Sequence, residues 1–129
     1  MRLREMVLPK LKRGEIWEID FNPQSYKEEP AKRGRPALVV QTDLLNGAGH
    51  ATTIVIPGTT QVYTDALGDA FPLRVSLPKG AGLKQATDLL IDQVRAISNQ
   101  RILGTKPIVA LSRNHMKRVE EALHVLTGA

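Results

Sequence analysis

Two short segments carry residue types that suit phosphate chemistry. In residues 33–36 (RGRP), a proline follows Arg35 and biases it toward an extended backbone. A guanidinium held there can meet a phosphate through two parallel hydrogen bonds. In residues 57–60 (PGTT), the hydroxyls of Thr59 and Thr60 follow a glycine that lets a ligand approach the backbone closely. The alternative is a solvated arginine and an ordinary Pro-Gly turn.

The sequence offers little for metal, thiol or nucleotide-loop chemistry. It has no cysteine, which excludes a disulfide framework, a thiolate zinc site and a thiol nucleophile. His50, His115 and His124 lack the spacing of metal-binding motifs, and neither a GxSxG elbow nor a glycine-rich phosphate loop occurs. We therefore expect no metal site and no cofactor.

Composition favours one basic globular domain. The 129 residues are 42% hydrophobic and 24% charged, which is ordinary for a single domain. Lysine and arginine number 18 against 13 acidic residues, so the net charge is +5 and the pI is about 9.8. A pI above about 9 is typical of nucleic-acid interfaces, although many basic proteins bind none. Part of the positive charge lies in one loop, at Lys27, Lys32, Arg33 and Arg35.

The amino terminus is basic rather than apolar. Residues 1–13 lack the apolar stretch that a secretory signal requires. The longest apolar runs elsewhere are far shorter than the roughly 20 residues of a membrane-spanning helix. We expect residues 1–12 to form a basic arm without fixed structure, residues 13–129 to form one domain, and the protein to reside in the cytoplasm without membrane contact.

Hydrophobic patterning predicts short strands followed by one helix. Residues 15–21 and 71–77 alternate polar and apolar side chains, while residues 52–56 are β-branched throughout. Residues 36–41, 89–91 and 94–97 are further strand segments, and Pro57 and Gly58 are expected to end the strand before them. At the carboxyl end, one helical face is apolar, with Ser112 or Asn114 as the N-cap and Gly128 past the end. That face consists of Met116, Val119, Leu123 and Leu126.

The connection between the second and third strands decides where the candidate residues meet. Asn46 and Gly47 indicate a turn, so the two strands that it joins should be antiparallel. The start of the first strand then lies beside the end of the second. We therefore expect Arg35 and Thr59 at the same edge of a small antiparallel sheet.

In this order the segments resemble the MazF/PemK family of toxin endoribonucleases. The resemblance runs from Arg13 to Leu126, and its most specific parts are an arginine-proline strand start, a P-x-T-T turn and an Asp-Gln pair. It implies a fold that is mainly β with α, a small SH3-like antiparallel β-barrel with a C-terminal helix, usually a homodimer. The segments are RGEIW (13–17), DFNP (20–23), RPALVV (35–40), IPGTT (56–60), FPLRV (71–75) and DQVRAI (92–97).

The resemblance also implies an activity and roles for particular residues. Relatives cleave single-stranded RNA at short sequences without a metal, through a 2′,3′-cyclic phosphate. The family's paired arginine and threonine fall on Arg35 and Thr59, which would stabilise the charge on the reacting phosphate. The base stays open between the loop carboxylates Glu29 and Glu28 and the alternative Asp92. Leu90 stands where relatives that use the aspartate have an arginine, which weighs against Asp92. The candidates for substrate binding are Lys27, Glu28, Arg33, Thr60 and Gln93.

Other classes of function stay open at this point. The same barrel serves the CcdB family as a gyrase poison, and a noncatalytic RNA-binding barrel is a third possibility. The arginine-proline and Pro-Gly-Thr segments favour the nuclease over the poison. The resemblance further implies an acidic MazE-like antitoxin as partner, and the net charge of +5 fits an acidic segment that folds on binding.

Overall fold

The computed structural model describes residues 10–21, 34–62 and 73–128. These residues contain eight strands and two α-helices. The helices are α1 (Asp43–Gly47) and α2 (Arg113–Thr127), and 3-10 turns span Ile91–Gln93 and Asn99–Arg101. The strands are β1 (Glu15–Asp20), β2 (Gly34–Val39), β3 (Thr52–Thr59), β4 (Arg74–Leu77), β5 (Thr87–Leu90), β6 (Arg95–Ser98), β7 (Ile102–Leu103) and β8 (Val109–Ala110).

The strands form one curled antiparallel sheet, a half-barrel. Their order is β4-β5-β3-β2-β1-β7, with β6 beside β3 and β8 beside β1. β3 lies at the centre of the sheet, because β2 pairs along one of its edges while β6 and then β5 pair along the other. The mainly β fold with a C-terminal helix that the sequence predicts is confirmed.

Strand alternation divides the buried side chains between the two faces of the sheet. In β1, Ile16 and Trp17 are neighbours in sequence but lie in different clusters, as the two-residue period of a strand requires. The helix-side core contains Ile16, Leu38, Val40, Ile56, Val75, Leu77, Leu89, Ile91, Val119 and Ala122. The far-side cluster contains Leu11, Trp17, Ile19, Ala37, Val39, Val55 and Ile97.

Helix α2 closes the helix-side core as its apolar spacing predicts. Val119 is fully buried, and the other predicted apolar positions pack against the same core. Ser112 is the N-cap, because its side chain accepts a hydrogen bond from the N–H of His115 at 3.1 Å. Gly128 ends the helix with a φ of 75°, a left-handed conformation that glycine adopts without strain.

The predicted N-terminal arm is described only from Lys10 onward. Leu11, which falls within the predicted arm, is 7% exposed and belongs to the far-side cluster. The N–H of Lys12 donates to Oε1 of Glu15 at 3.0 Å. Residues 1–9 lie outside the described part of the chain, and the division at residue 13 stays a prediction.

Strand β3 does not end at Pro57 and Gly58, so that expectation is wrong. The N–H of Val40, the residue after β2, donates to the carbonyl of Ile54 at 3.0 Å. Since backbone groups alternate sides along a strand, the nitrogen of Pro57 points away from β2. On that side the pairing with β6 stops at Val55 and the pairing with β5 starts at Gly58. The missing proline N–H therefore falls in the gap between two neighbouring strands.

Gly58 lets β5 approach β3 closely. A Cβ at this position would lie 2.8 Å from Cγ2 of Thr87, closer than carbon atoms pack. We expect Gly58→Ala to lower the free energy of unfolding by about 1–3 kcal/mol. Thr87→Ser removes that methyl group, so the double variant should recover part of the loss. Urea unfolding checks this, and a double variant no more stable than Gly58→Ala would contradict it.

The connection between β2 and β3 contains the short helix α1 where the sequence predicts only a turn. Thr42 is its N-cap and accepts a hydrogen bond from the N–H of Leu44 at 3.3 Å. Asp43 ties this helix to the segment before β1. The N–H of Arg13 donates to Oδ1 of Asp43 at 2.8 Å, and Nδ2 of Asn46 donates to the same oxygen at 3.0 Å.

These hydrogen bonds make a small part of the stability depend on pH. The hydrogen bond from the backbone N–H of Arg13 has the largest effect and lowers the pKa of Asp43 below its usual 3.8. The hydrogen bond from the side chain of Asn46 lowers this pKa further. Ionised Asp43 therefore stabilises the folded state at pH values above the pKa of the unfolded chain. This stabilisation is lost as the pH falls through the lower pKa of the folded state. Asp43→Asn should melt below the wild type at neutral pH, and the gap should narrow in acid. Melting curves across that range check this, and a constant gap would contradict it.

Candidate functional site

Arg35 and Thr59 lie on neighbouring strands at one edge of the sheet. β2 and β3 are antiparallel, with Ala37 opposite Pro57 and Leu38 opposite Ile56. The pairing ends at Ala37 and Pro57, and Arg35 and Thr59 each lie two residues beyond it, at the same end of the two strands. The antiparallel connection that the sequence predicts is confirmed, and alternation gives both residues the face of the far-side cluster.

Arg35 combines an exposed side chain with a well-supported backbone. Its partner in β1 is Ile19, which is fully buried in the far-side cluster. Ala37, two residues further along the same face, is also fully buried. The guanidinium can therefore reach an anion in solvent while the strand beneath it stays fixed.

Thr59 is half-buried, and its hydroxyl already has one partner. The N–H of Gln61 donates to Oγ1 of Thr59 at 3.1 Å, which forms a tight turn at the end of β3. A hydroxyl has one hydrogen to donate and two lone pairs. Since one lone pair is occupied by Gln61, the hydrogen can turn toward an incoming oxygen.

A buried charged network lies next to Thr59 and was not found from the sequence. Asp88 of β5 stands opposite Thr59 and is fully buried. Its Oδ2 lies 3.0 Å from Nη1 of Arg74, and its Oδ1 accepts a hydrogen bond from Oγ of Ser76 at 2.7 Å. The sequence signal for this network is Asp88 directly before the apolar residues 89–91. A carboxylate buried with such a strand needs hydrogen-bond or charged partners.

Asp92 and Gln93 occupy the 3-10 turn that joins β5 to β6. Both are exposed. β5 and β6 pair with the edge of β3 opposite to β2, so the backbone of β3 separates Asp92 from Arg35. Just past this turn, the guanidinium carbon of Arg95 lies 5.3 Å from the ring centroid of Phe21, a cation–π contact.

A cleft of about 300 Å³ opens beside Thr60. Glu18 and Lys84 are its charged lining residues, so it offers both a hydrogen-bond acceptor and a donor. A Cβ at Gly34 would collide with the carboxylate of Glu18, so the glycine gives that side chain its room. The cleft is further lined by Pro36, Gly82, Leu83, Gln85, Thr87 and Ile108.

Four of the sequence-predicted site residues precede β2 in the sequence. Lys27, Glu28, Glu29 and Arg33 lie outside the described residues. Their predicted roles as base or substrate contact stay predictions. Of the remaining candidates, the structure brings Arg35, Thr59 and Thr60 to one sheet edge and sets Asp92 and Gln93 across β3.

Among the residues that the structure describes, histidine, aspartate and glutamate form no group of three or more that could hold a metal ion. Neither α1 nor α2 is long and apolar enough to cross a membrane.

Comparison with known proteins identifies the family. The model of the family described as "PemK-like, MazF-like toxin of type II toxin-antitoxin system" matches residues 12–127. Endoribonuclease MazF9 of Mycobacterium tuberculosis is 30% identical over 118 residues, which are 88% of this chain and 92% of that protein. MazF of Deinococcus radiodurans shares the fold with a TM-score of 0.69 at 22% identity, over 95% of this chain and 99% of that one.

A MazE–MazF structure of Deinococcus radiodurans gives a TM-score of 0.67 at 20% identity, over 95% of this chain and 97% of the other. These matches agree with the order of segments in the sequence and with the half-barrel around β3. With a family model that spans nearly the whole chain and a curated relative at 30% identity, the chain belongs to the PemK-like, MazF-like toxins of type II toxin–antitoxin systems.

Proposed function

We propose that this toxin is an endoribonuclease that cuts single-stranded RNA at particular sequences without a metal ion. The observation that carries the proposal is that Arg35 and Thr59 each lie two residues beyond the paired Ala37 and Pro57, at the same end of the antiparallel strands β2 and β3. A guanidinium and a hydroxyl on one face can hold two oxygens of the same phosphate. The name of the relative, Endoribonuclease MazF9, agrees with this activity.

RNA supplies its own nucleophile, which limits what the protein must provide. The 2′-hydroxyl oxygen attacks the adjacent phosphorus, the P–O5′ bond breaks, and a 2′,3′-cyclic phosphate remains. Arg35 stabilises the extra negative charge that develops on the phosphorane, and Thr59 donates to a nonbridging oxygen. Because the pKa of a guanidinium exceeds about 12, Arg35 acts through its charge rather than as a proton donor.

Proton transfer completes the reaction. A base takes the 2′-hydroxyl proton, and the leaving 5′-oxygen gains a proton. Glu29 is our candidate base, with Glu28 beside it and Asp92 as the alternative. Asp92 is exposed and lies across β3 from Arg35, and Leu90 stands where relatives that use this aspartate have an arginine, so we place Glu29 first. Glu29→Gln and Asp92→Asn, compared over a pH series, separate the two.

Sequence preference would come from groups that contact unstacked bases. Gln93 is exposed in the 3-10 turn and carries an amide that suits the same task. Lys27 and Arg33 would contact the RNA backbone, and Glu28 a base edge.

The family also suggests partners and a place of action. We propose that the toxin forms a homodimer and that an acidic MazE-like antitoxin neutralises it in the cytoplasm, where RNA is abundant. A mycobacterial endoribonuclease with this fold forms a complex with its cognate antitoxin, and MazF of Deinococcus radiodurans forms one with MazE. The net charge of +5 suits an acidic partner whose association slows as salt rises.

One incubation tests the proposal against the other classes of function. Purified protein is mixed with an unstructured RNA in excess EDTA, and the products are separated by size. Cleavage into defined fragments with cyclic-phosphate ends is expected. RNA that shifts in a gel but stays intact indicates a noncatalytic binder. RNA that stays intact and unshifted, together with gyrase that the protein traps on DNA in a parallel assay, indicates a CcdB-like poison. Noncatalytic RNA binding and gyrase trapping would each overturn the proposal.

A further inference from the structure

A chain of hydrogen bonds connects a fully buried carboxylate to the Thr59 hydroxyl. Nη1 of Arg74 donates to Oδ2 of Asp88 at 3.0 Å and to the carbonyl of Gln61 at 3.2 Å. Gln61 in turn donates its N–H to Oγ1 of Thr59 at 3.1 Å. The carbonyl of Gln61 thus contacts Arg74 of the ion pair, and the N–H of Gln61 contacts Thr59.

We propose that Arg74 and Asp88 are positioning residues that hold the turn after β3, so that the Thr59 hydroxyl points its hydrogen at the substrate phosphate. The inference rests on the proposed function, because it assigns a purpose to a threonine that contacts RNA. Arg74 acts through Gln61 on Thr59. Asp88 acts through Arg74.

The burial of Asp88 makes this arrangement rigid. Its side chain is fully buried, that of Arg74 is 24% exposed, and each carboxylate oxygen has a donor. A carboxylate without water depends on those donors, so the guanidinium is fixed in place. Strand pairing adds to this, since Asp88 is opposite Ser76 in β4 and opposite Thr59 in β3.

The geometry of Gln61 decides what the network does for catalysis. A turn that lies at the end of a strand and is exposed to solvent would otherwise sample several conformations. Arg74 holds the Gln61 carbonyl, so the neighbouring peptide keeps its orientation and its N–H occupies one lone pair of Thr59. A hydroxyl fixed in this way meets the phosphate without reorganisation, which is how a donor stabilises a transition state most strongly.

The test uses variants that break the network at two places. Arg74→Met with Asp88→Leu removes both charges together, because removing only one would leave a buried charge unpaired. Gln61→Pro removes the N–H that contacts Thr59 together with the glutamine side chain, restricts the backbone of Thr60, and keeps both Arg74 and Asp88. Each change is made alone and in a Thr59→Val background, and circular dichroism and melting confirm the fold. Glu120→Gln, which breaks the exposed pair with Arg13 at 2.8 Å, is the matched control.

We expect Thr59→Val to lower kcat by about tenfold or more and each network variant to lower kcat by a similar factor. KM should change little, since binding of the RNA is left to other groups. In the Thr59→Val background the network variants should cause no further loss, because they act through the missing hydroxyl. Glu120→Gln should cut RNA like the wild type.

Three outcomes separate failure of this inference from failure of the proposed function. Losses that multiply with that of Thr59→Val, or a rise in KM alone, would mean that Arg74 acts on RNA independently, and the inference falls while the nuclease stands. A folded Gln61→Pro with wild-type kcat also overturns it. If Thr59→Val and Arg35→Ala both cut RNA normally, the proposed site itself is wrong.

Discussion

Arg35→Ala should lower the rate of RNA cleavage by about a hundredfold or more while leaving the fold intact. The side chain is exposed, so its loss should change stability by less than about 0.5 kcal/mol. In the proposed mechanism, however, its charge stabilises the negative charge that develops on the phosphorane. Loss of one preorganised donor at such a place costs about 10²–10³-fold in rate.

Two further variants, Arg35→Lys and Arg118→Ala, test whether the loss of cleavage is specific to the guanidinium at position 35. Lysine keeps the charge but loses the planar fork of the guanidinium, so Arg35→Lys should fall between the wild type and Arg35→Ala. Arg118 is an exposed arginine of α2, and Arg118→Ala should cut normally. Single-turnover rates on one short RNA, with melting curves for each variant, measure these effects. An Arg35→Ala protein that is folded and cuts at the wild-type rate would remove Arg35 from the site.

Local patterning in the sequence was enough to predict the architecture of the helix and of most strands. The apolar spacing around Val119 and the cap at Ser112 are local signals, and the helix follows them. The antiparallel relation of β2 and β3 could likewise be predicted from a short connection. It places Arg35 near Thr59 without knowledge of the rest of the chain.

The features that the sequence did not predict depend on distant segments. β3 continues through Pro57 because neighbouring strands change at that residue, and no property of residues 52–59 reveals this. The ion pair between Arg74 and Asp88 joins two strands, and its link to Thr59 passes through a backbone carbonyl. Pairing partners of this kind are set by the tertiary fold rather than by local propensity.

The candidate site itself combines the two kinds of information. Residue type indicates what Arg35 and Thr59 can do, and the antiparallel pairing of β2 with β3 puts them at the same end of the two strands. Residue type alone does not choose among the carboxylates, because Glu28, Glu29 and Asp92 are chemically equivalent as bases. The choice of the base therefore stays a prediction, because Glu28 and Glu29 lie outside the described residues.

An RNA with a single 2′-deoxy sugar on the 5′ side of the cleaved bond should resist the toxin completely. The proposed reaction has no nucleophile other than that 2′-hydroxyl, and no residue of the proposed site activates a water molecule. Loss of the nucleophile removes the whole intramolecular advantage, which contributes about 7–11 kcal/mol to well-oriented reactions. The expected effect therefore exceeds that of any protein variant described above.

The matched control is an RNA with the deoxy sugar one nucleotide away from the cut, which should be cleaved normally. Both substrates are compared in excess EDTA by gel electrophoresis, and the ends of the fragments are identified by mass. A 2′,3′-cyclic phosphate, or the 3′-phosphate formed by its hydrolysis, is expected from the control RNA. A strict need for magnesium would contradict the metal-free mechanism, and cleavage of the deoxy substrate at the same bond would show that water attacks the phosphorus. Arg35 and Thr59 would then serve a hydrolysis with a separate nucleophile, and the base would have to lie on the side of the phosphorus opposite to the 5′-oxygen.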